Sequence, residues 1–141
     1  MKKLLFQLFA ASLVIVLSDS CSSKGGGDDG GGTTEANLVV TLNPPVGSNQ
    51  PAAPQADFLL TVSITSTMPA QGVTIDVTAK KDDGSGAAPF FTESRSSTSA
   101  NNNFTITGTP VGVVCLTTVT VTSKSKPSNI WSGTYRYTRK S

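Results

Sequence analysis

From residue 37 onward the chain alternates apolar and polar positions. Phe58, Leu60, Val62 and Ile64 fall on one side, and Leu59, Thr61, Ser63 and Thr65 on the other. A period of two marks a strand with one buried face. Val73, Ile75, Val77 and Ala79 repeat it against Thr74, Asp76, Thr78 and Lys80. Val113, Cys115, Thr117, Val119 and Val121 do so against Thr118, Thr120, Thr122 and Lys124, although Val114 and Leu116 blur the start and leave room for a bulge or local double burial. Shorter runs at 37–42, 90–93 and 104–107 and a last one from Ile130 to about Tyr137 are rich in Val, Ile, Thr, Phe, Trp and Tyr. The punctuation between them is Pro, Gly, Asn and Ser. Pro44-Pro45 ends the first run and opens a loop through Pro51 and Pro54. Residues 66–72 and 82–86 read as turns, and Ser94 to Asn102 as a polar loop. Seven candidate strands with no helix signal among them predict an all-β fold, an antiparallel sandwich.

The first 36 residues follow another pattern. Lys2-Lys3 precede an apolar run from Leu4 to Leu17, then Ser18-Asp19-Ser20-Cys21, then a Gly/Ser/Asp stretch through Gly32. As a helix the apolar run would span roughly 21 Å, short of the ~30 Å core of a bilayer. A cleaved secretory signal over 1–20 is the expectation, followed by a flexible tether over 21–36 and a folded domain over 37–141. The segment resembles the signal peptide of bacterial lipoproteins, in which a Leu, two small residues and a Cys form the lipobox. Leu17 stands one place further from Cys21 than that pattern has it, and Asp19 is a charge within it. The resemblance implies lipidation of Cys21 and an outer-membrane, surface-exposed location. Asp28-Asp29 resembles the acidic export tag of some such proteins. Cleavage by the ordinary signal peptidase after Ser20 is the alternative, and would give a soluble protein beginning at Cys21.

Composition narrows the function. The domain carries Lys80, Lys81, Arg95, Lys124, Lys126, Arg136, Arg139 and Lys140 against Asp57, Asp76, Asp82, Asp83 and Glu93, an excess of three positives. That is too slight and scattered for a nucleic-acid footprint. The chain has no histidine, which removes the commonest general base and metal ligand. Of its two cysteines, Cys115 sits within Val113-Val114-Cys115-Leu116 and is expected to be a buried free thiol. Asp82-Asp83-Gly84-Ser85-Gly86 lacks the spacing of a calcium loop and reads as a hairpin turn. Asp57, Asp76 and Glu93 have no motif around them, the serines at 94–99 form no nucleophile elbow, and Asn103-Phe104-Thr105 matches a glycosylation acceptor only formally. No enzyme, cofactor or metal is expected.

The order of runs from 37 to 141 resembles immunoglobulin-like and fibronectin-type-III-like domains, best at Phe104 through Gly112 leading into Val113. Such domains place a Tyr soon after this Pro/Gly corner, and its hydroxyl ties the corner down. Val114 stands near that place, so the polar tie is expected to be missing. The resemblance implies architecture and no active site. Trp131, Tyr135 and Tyr137 share one face of the last run, with Gly133 between them. The alternate face is polar, so these rings are expected in the core; exposed, they would form a platform for sugar rings. The expected function is a lipid-anchored, non-enzymatic binding or spacer domain, with a glycan or protein ligand outside the cell. The rivals are a small carbohydrate-binding module and a structural subunit that completes its sheet with a partner's strand.

Overall fold

A computed structural model describes residues 34–141. The expected signal segment, Cys21 and most of the tether lie outside the described residues. Seven strands form: β1 (Val40–Asn43), β2 (Phe58–Ile64), β3 (Val73–Lys81), β4 (Phe91–Ser97), β5 (Asn101–Ile106), β6 (Val114–Ser123) and β7 (Ile130–Thr138). They make two antiparallel sheets, ordered β1-β2-β5 and β4-β3-β6-β7. The result is an all-β sandwich whose strand order is compatible with an immunoglobulin-like domain. The fourth strand lies beside the third, not beside the fifth as in the constant-type arrangement.

The alternation read from the sequence decides what is buried. Leu60, Val62, Ile75, Val77, Val119 and Val121 are fully buried between the sheets, with Phe104 and Ile106 facing them from β5. Each such side chain contributes ~1.5–3 kcal/mol relative to exposure. The register of β6 against β3 and β7 is continuous, so no bulge forms at Val114. Val114 is exposed and Leu116 half-buried on the outer face.

One expectation about the edges needs correction. The polar stretch after Phe91 is not a loop: β4 runs to Ser97 and β5 begins at Asn101. Ser94 and Ser96 pair with Asp76 and Thr74 on β3, and the Ser94 hydroxyl donates to the Asp76 carboxylate (2.5 Å). An edge strand with solvent on most of its surface needs no apolar face, so the period of two is silent there. Asn102 is buried and closes the turn by donating Nδ2 to the Ser99 carbonyl (2.9 Å).

The proline-rich stretch after β1 is a loop as expected, but it is tied to the second sheet. The chain crosses from the first sheet to the second and runs parallel to β7 as a strap. Gly47 and Gln50 donate their backbone N–H to Thr134 and Arg136, Arg136 donates back to Ser48, and Ala53 donates to Thr138. This strap covers the outer edge of β7 from Thr134 onward. On the opposite side of the sandwich, Arg95 of β4 donates to the Asn103 carbonyl of β5 (3.0 Å) and stacks on the Phe104 ring (4.3 Å to the centroid). Inward-pointing charge of this kind blunts an edge against pairing with another chain.

Candidate functional site

Because β1 enters beside the end of β2, the two ends of the sandwich differ. The start of β1, the 65–72 and 124–129 turns and the β4–β5 turn share one end. Asn129 anchors the incoming chain there: its Oδ1 accepts Leu38 N–H (3.0 Å) and its Nδ2 donates to Glu35 and Ala36. Glu35 and Ala36, which the composition assigns to the tether, are thus held against the folded domain. The far end gathers the strap, the 82–90 loop, the 107–113 corner and the last residues.

The far end is knit by polar contacts. Arg136 Nε donates to Asp82 (2.5 Å). Arg139 donates from its guanidinium to the Thr109 carbonyl (3.1 Å), and its own carbonyl accepts Gly112 N–H (2.7 Å). Asp83 accepts the Ser85 N–H (3.0 Å), and bonds from Ser85 hold its carboxyl below the usual range. This segment is the first half of the 82–90 loop that joins β3 to β4, longer than the tight hairpin turn read from the sequence. Among the described residues no group of three His, Cys, Asp or Glu side chains comes together as a metal site.

The aromatic stripe of β7 divides. Tyr135 and Tyr137 point into the sandwich at 2% and 1% exposure, so a flat platform carrying their rings does not exist in the folded domain. Tyr137 packs on Phe58 with centroids 4.4 Å apart and lies 6.0 Å from Tyr135. Trp131, expected in the core beside them, is only partly buried. Its ring lies along β7 over Gly133, and a Cβ on Gly133 would stand 2.5 Å from the ring and 3.0 Å from Val46. The sequence left open what fills the space at Gly133; Trp131 itself does.

The corner tie is a further correction. Thr109 is buried, and its hydroxyl pairs with the Tyr137 hydroxyl (3.1 Å). A tyrosine does fix the corner, but it comes from β7 and not from the strand that follows the corner. Burial pushes the Tyr137 phenol up to about 12, against the opposing effect of the Thr109 bond. Burial also raises Tyr135, whose hydroxyl has no hydrogen-bond partner among the described residues. Thr117, its cross-strand neighbour, lies close enough to moderate that rise but outside bonding geometry, and its own hydroxyl is equally unpaired. Cys115 is a buried free thiol, raised by desolvation, with Lys81 pulling it back.

A cleft of about 270 Å³ opens at the far end, between the strap and the mouth of the core. Tyr135, Tyr137 and Phe58 contribute its buried part, Pro44 and Pro51 its strap side, and Gln55 and Leu59 its exposed rim. Sequence reasoning missed it, because its two halves lie in a loop without a motif and in a strand read as core. Comparison of the chain with protein families, curated proteins and solved structures found no match.

Proposed function

We propose that this is a lipid-anchored protein of the cell envelope, presenting one non-enzymatic immunoglobulin-like domain that binds or spaces a partner outside the cell. The observation that carries this reading is the order of the N-terminal residues: Lys2-Lys3, a short apolar run, Cys21, then a glycine- and aspartate-rich stretch leading to a folded domain. Two acyl chains on one cysteine anchor stably where a single chain is marginal. A tether of roughly 20 Å root-mean-square span clears the domain from the headgroups. The entry of the chain at one end of the sandwich, held by Asn129, supports the reading, since the loops of the other end then face outward.

The non-enzymatic part is supported by the absence of histidine and by how the described carboxylates are used. Asp76 accepts from Ser94, Glu93 pairs with Arg95, and Asp82 pairs with Arg136. The structural-subunit alternative is weakened at two of the edges: β7 is strapped from Thr134 onward by the protein's own chain, and the β4–β5 side is bridged by Arg95, while the third edge, β1, is only four residues long.

Cys21→Ala tests the anchor. The variant is expected to lose acyl incorporation and to move from the membrane to the soluble fraction, or to stall as precursor. Membrane retention at the wild-type level would refute the reading.

A further inference from the structure

We propose that the outer face of the β1-β2-β5 sheet binds an uncharged glycan through an acetamido group, a unit of N-acetylated hexosamine seated on Leu59, Thr61 and Asn103. This names a partner for the domain read above as a binding domain, but the contact itself does not depend on the lipid anchor.

The alternation that fills the core turns Leu59, Thr61 and Ser63 of β2 and Asn101, Asn103 and Thr105 of β5 to the outside. No residue that the three strands turn outward is charged. At the margins Arg95 is held by Glu93, and the exposed Asp57 stands just before β2. An anionic glycan would lose hydration on this face without gaining an ionic partner.

Two amides on the face are set in the same way. Thr61 donates its hydroxyl to Asn103 Oδ1 (2.9 Å), and Ser63 donates its own to Asn101 Oδ1 (2.8 Å). Both asparagines are exposed, and neither NH2 group has a partner among the described residues. They are surface donors whose side chains are already held, which lowers the ordering cost of binding. Asn101 lies one outward position, roughly 7 Å, along β5 from Asn103, and so reaches toward the adjoining sugar.

Leu59 decides which group fits. It is 74% exposed, the most exposed large apolar side chain among the described residues, and it shares a hollow of about 290 Å³ with Thr61 and Asn103. An acetamide answers all three. Its methyl covers Leu59, its carbonyl accepts from the Asn103 NH2, and its N–H donates to the Thr61 oxygen, which keeps lone pairs after giving its proton to Asn103. A sugar with hydroxyls alone has no methyl for Leu59.

The test uses full-length protein in detergent micelles, where membrane retention has no bearing on the outcome. Saturation-transfer NMR is run with the N-acetylglucosamine tetramer. The glucose tetramer of the same linkage and the de-acetylated, cationic tetramer serve as controls. The expected result is transfer to the acetylated tetramer, strongest at its acetyl methyls, and little to either control. Asn103→Asp keeps the acceptor for Thr61 and removes the donor, so it is expected to weaken binding about fivefold or more with Tm little changed. Leu59→Thr, at an exposed strand position, is expected to weaken it about threefold or more with Tm unchanged. No transfer to the acetylated tetramer, equal transfer to a control, or undiminished binding in either variant would overturn the proposal.

Discussion

The hydroxyls of Tyr137 and Thr109 are each other's buried partners, 3.1 Å apart across 28 residues of chain. One belongs to the last strand and the other to the corner between β5 and β6, so the bond joins the C-terminal strand to a loop it does not flank. Tyr137→Phe strands the Thr109 hydroxyl, and Thr109→Val strands the Tyr137 hydroxyl. Each is expected to cost about 1–3 kcal/mol in urea unfolding, and the double variant less than the sum. Additive losses would show that the two groups are not coupled.

Tyr135→Phe should behave in the opposite way. Its hydroxyl has no partner to leave behind, so its removal is expected to be neutral or stabilising by up to ~1 kcal/mol. The contrast between the two phenylalanine variants, measured side by side by thermal unfolding, is the sharper observable. Equal losses would contradict the assignment.

The same phenols set an alkaline limit. Folding keeps the Tyr137 proton on up to about pH 12, whereas the unfolded chain releases it near the ordinary value of 10. Between those values the unfolded state binds fewer protons, so stability is full below about pH 10 and declines as pH rises toward 12. Tm measured from pH 8 to 12 is expected to fall across that window. Tyr137→Phe should flatten the fall, though from a lower starting point.

Gly133→Ala probes the partly buried indole. The added methyl would meet the Trp131 ring and Val46. The ring can swing outward, so the expected loss is a moderate ~1–2 kcal/mol. Trp131 is the only tryptophan of the chain, so its emission reports directly. A red shift and easier quenching in the variant are expected, and an unchanged spectrum would mean the ring does not rest there.

Gly72→Ala is expected to be harsher. Gly72 has φ +75°, and a Cβ there would collide with the Ser97 carbonyl, a backbone atom that cannot swing away. A loss upward of ~2 kcal/mol follows from strain and overlap together. Gly84, also at positive φ but with open space around it, should tolerate alanine better in the same chemical denaturation assay.

How much of this was legible depended on where each strand lies in its sheet. β2, β3 and β6 each have neighbours on both sides and one face on the core, so Leu60, Ile75 and Val119 recur every second residue and announce themselves. β4 has a partner on one side only, and Ser94 and Ser96 satisfy it as well as any apolar residue would. The strap is held through backbone groups, so side chains between Gly47 and Ala53 carry no trace of its partner. Tyr135 and Tyr137 read correctly as core, but that the core opens beside them depends on the packing of a loop 80 residues earlier. Trp131 packs against that core only at its margin, half-buried with its ring over Gly133, a detail that the alternation alone does not carry.

The separation of the chain's entry from the loops of the far end has a mechanical meaning. A partner held at the far end and a lipid held at the near end would pull along the long axis of the sandwich. β1, bonded to β2 through its whole length, would be loaded along its own axis, with its hydrogen bonds sharing the load instead of opening one after another. The Asn129 clamp on Leu38, Ala36 and Glu35 takes that load first. Resistance to such a pull is set by the rate of unfolding rather than by equilibrium stability. Under flow or shear, Asn129 thus matters more than its modest share of the resting fold implies.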